Sequence, residues 1–495
     1  FERASAGNGV LVIVHMIGGI GAVQQRILGK CGEFRKLPVF LGGFRGTCTD
    51  QQENRTAQEN GAQRECAQDC PNACGNEHLP ALLLQAHVDM VNEKNSDSDH
   101  DFTKDGLKLI LEGNILRADG TTLGADDGKG VAYMLALMDS DSDTFPHPPL
   151  EFLFTTGEEV GFWGAMALDC SDITARRMIG LDAGPEGVVA TTSAGAQEVI
   201  FSIPTEYEPV KGDVLAVSVR GLLGGHSAMN ITDEKGNSNK IMGRLLHNAA
   251  KVADFRLCHI TGGAMFNAIP READAIIAVE PGKKQAVIDK IAKVTAELQG
   301  ELAASDPGLT VTVTDAKADK MLSAAVTKAV VECLYNVPNG VRMMNKQVPG
   351  LPVTSTNMGV VKTLEDKITV DTMLRSSSKS LNDDYVDNIC TVGKLAGMPE
   401  VWVGDWMPAW PYMAGSKMRE LAKKMYKERT GEDMRELAVH GGLELGVFSE
   451  KMPGMDIVTL GCTSGNEHTV TEWMDIDSYA RVYQFMKDFI AELCK

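Results

Sequence analysis

Positive charge is scarce in this chain. Lys and Arg total 48 against 67 Asp and Glu, a formal net charge of −19 over 495 residues. That balance argues against nucleic acid or an anionic membrane surface as a partner, because both need a cationic footprint. Long apolar runs are missing as well. Stretches such as Val10 to Val14 fall far short of the roughly 20 residues that span a bilayer. Cysteine is sparse for the length and odd in number, at 11, with Cys31, Cys48, Cys66, Cys70 and Cys74 in the first 80 residues. A secreted disulfide framework would be short and Cys-dense. Cys66, Cys70 and Cys74 lack the second pair that a structural zinc site requires, so free thiols on a loop are expected there. The segment Val10 to Ile17 has no basic lead or small-residue cleavage site, so a signal peptide is not expected and a cytoplasmic location is. Composition also excludes collagenous, coiled-coil and disordered chains. A large, acidic, soluble enzyme remains.

What is present begins to read clearly at Leu79. Leu82 to Asp89 has the pattern of a buried strand whose end turns polar, and Leu150 to Thr155 and Met178 to Leu181 repeat that pattern. An apolar-rich helix is expected from Gly128 to Met138. Strands alternating with helices predict an α/β core with a largely parallel sheet. From about Lys211 the texture changes to α+β: strands at Val214–Val219, Ala273–Val279 and Leu309–Val313, and helices at Asn239–Val252 and Lys283–Glu301. An aromatic, Pro-containing connection is expected at Trp402 to Pro411. It is followed by a helix at Ser416–Arg429, a strand at Met455–Leu460 and a closing helix at Ser478–Cys494. The reading is a catalytic domain in two pieces, 1–204 and 405–495, with a second domain, 205–404, inserted between them.

The strand ends carry the chemistry. His87 and Asp89, Glu158 and Glu159, and Asp182 each follow an apolar strand, and Asp126 lies in the turn Gly124 to Gly128. In open α/β sheets the carboxyl ends of strands form the ligand crevice. Carboxylates gathered there repel one another unless a cation is present, and a mixed imidazole and carboxylate set suits zinc. Two metals would need five or six protein ligands, one of them a bridging carboxylate. Adjacent Glu158 and Glu159 point different ways, so one can bind metal while the other serves as a base. Asp89 can orient His87, as a metal-binding imidazole usually requires. Either pair alone would be unremarkable, since surface acids are common. The succession of strand ends is what makes the signal.

Several segments in fixed order carry a resemblance: Gln85 to Val91, His100 to Phe102, Thr121 to Gly128, Thr156 to Glu159, Gly224 to Ser227, Asn267 to Ala273, Arg375-Ser376 and His440 to Glu444. Together they resemble the aminoacyl-histidine dipeptidases, the cytosolic non-specific or bacterial carnosinase-like dipeptidases of the di-zinc aminoacylase and carboxypeptidase superfamily. The resemblance implies a di-zinc exopeptidase-type catalytic domain with an inserted α+β lid that forms a homodimer. It implies that His87, Asp126 and Asp182 hold one Zn2+ and that Asp126, Glu159 and His468 hold the other, with Co2+ or Mn2+ as substitutes. It further implies Glu158 as general base, Asp89 as partner of His87, and His226, Asn267 and Arg375 as the substrate set. Glu444 would hold the substrate amino group, and His226 would reach the partner subunit's site. The implied activity is hydrolysis of short peptides, Xaa-His and broader Xaa-Xaa. An aminoacylase, a tripeptidase or a non-catalytic metal-binding relative is the alternative. Three departures stand out. Asp127 sits where Asn is frequent, His468 is followed by Thr469-Val470 rather than Ser-Pro, and residues 10–78 match poorly.

Overall fold

The computed structural model describes residues 63–66, 76–140, 145–346 and 348–495. The apolar segment Val10–Ile17 and the cysteines Cys31, Cys48, Cys70 and Cys74 lie outside the described residues. Among the described residues two compact units emerge: those up to 191, with 412–437 and 447–495, form the first, and those of 192–411 with 438–446 form the second. The second unit therefore starts before residue 205 and runs past 404. The reason is strand pairing. Gly195–Pro204 pairs along its length with Lys367–Ser376, and Glu400–Val403 pairs with Gly195–Pro204 on its other side. Trp402, expected in a connection, thus sits in an edge strand.

The first unit is built on a five-stranded sheet in the order Gln63–Cys66, Leu150–Thr155, Leu82–His87, Arg177–Gly180, Asp456–Thr459. The last four are mutually parallel, and only Gln63–Cys66 runs antiparallel. Leu82, Leu83 and Leu84 are all fully buried, as are Leu153 and Ile179. Consecutive burial of this kind marks a sheet covered on both faces, where helices supply the second layer. Each such leucine contributes roughly 1.5–3 kcal/mol of burial energy. The helices Ala125–Met138 and Ile476–Glu492 share one core with the sheet. Tyr133 stacks on Tyr479 at 4.3 Å and donates its hydroxyl to the Tyr479 carbonyl at 2.8 Å. Because the four strands are parallel, His87, Thr155 and Gly180 finish at one edge. The loops that follow carry Asp89, Glu158, Glu159 and Asp182.

The second unit is a nine-stranded sheet whose recorded pairings are antiparallel, faced by the helices Ser238–Ala249, Lys284–Glu301, Ala324–Asn336 and Lys379–Ala396. Asp213–Arg220 alternates in burial, which fits a strand packed on one face, whereas the central Pro352–Thr363 is buried along most of its length. Among the described residues no helix is long and apolar enough to cross a membrane.

Candidate metal centre

His87, the last residue of its strand, is 1% exposed. Its Nδ1 donates to the Asp89 carbonyl at 3.0 Å, with the Asp89 carboxylate at 3.6 Å. A carbonyl can only accept, so the proton sits on Nδ1 and Nε2 is left for the site. The expected partnership of His87 with Asp89 thus runs mainly through the Asp89 backbone. The Asp89 carboxylate has a further task. Its two oxygens accept the backbone N–H groups of Glu158 at 3.2 Å and Glu159 at 3.1 Å. One acidic side chain therefore ties the first strand end to the second.

Asp126 lies between two imidazoles. Its Oδ1 is 3.1 Å from His87 Nε2 and its Oδ2 is 3.1 Å from His468 Nε2. His468 Nε2 also stands 3.1 Å from Glu159 Oε1. Three overlapping sets have all their ligand atoms within 4.8 Å of one another: His87, Asp126 and Asp182; Asp126, Glu159 and His468; and His87, Glu158 and Glu159. The first two are the sets that the resemblance implies. The third brings Glu158 within the same reach as Glu159, so chemistry rather than distance separates their roles. Glu159 is the one that faces His468. His440, the other histidine of the C-terminal motifs, joins none of these sets.

The charges explain why such a cluster calls for cations. Burial opposes charging His87. Hydrogen bonds to Asp126 and Asp89 and the nearby Asp182 and Asp127 nevertheless hold it well above its ordinary value. Hydrogen bonds to Asp126 and Glu159 push His468 up to about 10. Burial is outweighed at Asp126, whose carboxyl is held far below the usual range by His468 and His87. Loss of solvent, then the charge of Asp126, pushes Asp182 up to about 6. Buried Lys129 adds one fixed positive charge beside Asp127 and Asp126. The carboxylates draw protons onto both imidazoles, and a divalent cation would displace those protons on binding. The donor set fits a pair of such ions: imidazole nitrogen and carboxylate oxygen, with one carboxylate divided between two histidines.

Local geometry sets the ligands in place. Gly124 has φ 68°, and a Cβ there would meet the Met90 sulfur at 2.7 Å, so this turn needs glycine. The helix Ala125–Met138 begins with non-helical angles at Asp126 and Asp127, which turn the Asp126 side chain out of the helical register. His468 occupies the hairpin loop between Ser464–Gly465 and Trp473–Asp475, with φ 64°.

The second unit gathers a different group. His226 and Ala268 are paired residues of a two-stranded ribbon, and the Ser227 N–H donates to the Asn267 carbonyl at 2.8 Å. Gly224 before it has φ 64°, and a Cβ there would lie 2.9 Å from the Ile269 carbonyl. Arg375 is buried and donates Nε to Ser227 Oγ at 3.3 Å. Burial lowers it to about 10, and among the described residues no carboxylate forms an ion pair with it. His440 is buried with Nε2 2.8 Å from Ser355 Oγ. Burial and the charge of Arg375 lower it to about 3. Glu444 is buried in this unit too.

The sequence reasoning missed Glu472. It is 2% exposed, and its carboxylate accepts the N–H groups of Leu123, Gly124 and Asp126. The only hint in the sequence is an acid four residues after His468.

The profile of peptidase family M20/M25/M40 matches residues 83–492. The cytosol non-specific dipeptidase of Escherichia coli is 33% identical over 426 residues, covering 86% of this chain and 87% of the relative. The crystal structure of aminoacylhistidine dipeptidase from Vibrio alginolyticus superposes with a TM-score of 0.75 at 31% identity, over 89% of this chain and 91% of that one.

Proposed function

The chain belongs to peptidase family M20/M25/M40, and from that premise we propose that it hydrolyses dipeptides, Xaa-His and more broadly Xaa-Xaa, with two zinc ions. The observation that carries the reading is Asp126, one carboxylate with each oxygen set on a different histidine. In this reading His87, Asp126 and Asp182 would hold one ion, and Asp126, Glu159 and His468 would hold the other. When bound, the pair supplies Lewis acidity and makes water acidic enough to lose a proton near neutral pH.

The chain's own residues do the rest. Glu158 accepts a proton from the attacking water and returns it to the peptide nitrogen as the C–N bond breaks. Asp89 fixes Glu158 and Glu159 by holding their backbone N–H groups. His226 donates to the carbonyl oxygen as negative charge develops on it. Arg375 takes the substrate's free carboxylate through its planar fork. A buried guanidinium with no carboxylate ion pair among the described residues supports that role. Asn267 adds a neutral hydrogen bond, and Glu444 holds the substrate amino group. Recognition of both ends of the substrate favours dipeptides over longer peptides and over N-acyl amino acids.

The reading extends to a cytoplasmic homodimer formed through the second unit. Leu223, Met229, Met265 and Phe266 stand exposed there, apolar surface that such a contact would bury. The test is hydrolysis of an Xaa-His dipeptide, a tripeptide and an N-acyl amino acid before and after chelation. Dipeptide cleavage that stops on chelation and returns with Zn2+ is expected. Cleavage that survives complete metal removal would overturn the reading.

A further inference from the structure

Glu472 spends a buried carboxylate on backbone rather than on substrate or metal. Its Oε2 accepts from Leu123 N at 2.7 Å and Gly124 N at 2.9 Å, and its Oε1 accepts from Asp126 N at 3.2 Å. Those three N–H groups belong to the turn that opens the helix Ala125–Met138, whose N-cap residue, Gly124, has no side chain to cap them, while the local Asp127 carboxylate takes a different donor, Gly130 N. The first N–H groups of a helix have no intrahelical acceptor, and an anion placed there also meets the positive end of the helix dipole. Glu472 therefore acts as a cap supplied from a distant part of the chain.

The position of Glu472 gives this cap a second consequence. It directly precedes the strand Trp473–Asp475 and sits at the root of the loop that carries His468. That loop is otherwise held mainly from within: Thr469 Oγ1 donates to the Asn466 carbonyl, and Glu472 N donates to the Thr469 carbonyl. His468 itself is half exposed, so little packing fixes it. We propose that Glu472 is a positioning residue that clamps the His468 hairpin to the Asp126 turn and keeps these two ligands in register. The proposal rests on the two-metal reading above and adds a residue to it.

The experiment compares wild type with Glu472→Gln, which keeps the size of the side chain but turns an amide NH2 toward one of the three donors. Hydrogen exchange is followed over residues 123–126 in metal-free protein, and Zn2+ binding is titrated step by step. Expected are exchange in that segment faster by about tenfold or more, and a weaker-binding Zn2+ step loosened about 10–100-fold, the usual effect of losing a residue that supports a ligand. The tighter step should move less, and excess Zn2+ should restore turnover. Unchanged exchange and unchanged binding would overturn the proposal. Equal loosening of both steps together with a lowered melting temperature would also overturn it, since that is the mark of a merely structural role. Because exchange is read without metal, a chain that binds two Zn2+ yet cleaves no dipeptide would refute the functional reading alone.

Discussion

The two units solve opposite electrostatic problems. At the carboxyl edge of the parallel sheet, Asp126, Asp182, Glu158 and Glu159 concentrate negative charge, and both imidazoles among them are driven toward their charged forms. In the antiparallel unit a buried guanidinium, Arg375, is faced by the neutral Ser227 and by His440, which burial and that same guanidinium keep unprotonated. Acids outnumber the one buried lysine in the first cluster, and among the described residues no carboxylate forms an ion pair with Arg375 in the second. Residues that a fold needs only for stability would be paired within their own unit, because an unpaired buried charge is costly. A dinuclear metal centre in one unit and a substrate carboxylate in the other would satisfy both.

The sharpest way to break this contrast is at Glu158. Glu158→Ala should lower turnover by about 10²–10⁴-fold, the range for removing a general base, while leaving metal content near wild type. Wild-type turnover in that variant would remove the base from the account. A smaller effect is expected on the other side. Arg375→Ala should lower kcat/KM by about 10–100-fold, the worth of a charged hydrogen bond at roughly 1.5–3 kcal/mol, without changing metal content. A dipeptide amide should lose the same factor with wild type and little more with the variant. If the variant discriminates acid from amide as wild type does, the guanidinium does not read the carboxylate.

The smallest expected effect concerns His440. Its ordinary value is 6.5, and the folded protein lowers it to about 3. Between those values the unfolded chain binds a proton that the folded chain refuses. This contribution to stability is therefore present above pH 6.5 and is lost as pH falls toward 3, by of order 1 kcal/mol per pH unit. Replacing His440 with Gln, which can still pair with Ser355, should flatten acid denaturation across that window. An unchanged slope would mean that His440 titrates near its ordinary value.

Much of this architecture was legible because apolar runs are local signals. Leu150–Thr155 and Ala273–Val279 form strands over those very residues, and the acids and His87 could be found because each follows such a run. What escaped reading depends on partners far away in the chain. Gln63–Cys66 has no apolar alternation and is a strand because it pairs with Leu150–Thr155. Trp402 looked like part of a connection, and pairing with Ile200 makes it strand. Glu472 resembles any surface acid until its three N–H donors, some 350 residues earlier, come into view. The resemblance supplied His468, whose loop has no periodicity to mark it.

Asp126 would serve both ions of the proposed pair, so it is the residue to remove. Zinc per chain should be measured by elemental analysis in wild type and in Asp126→Ala after identical equilibration. Two ions per wild-type chain, with the variant losing affinity for both, is the predicted result. One ion per wild-type chain, or a variant that keeps both, would contradict it.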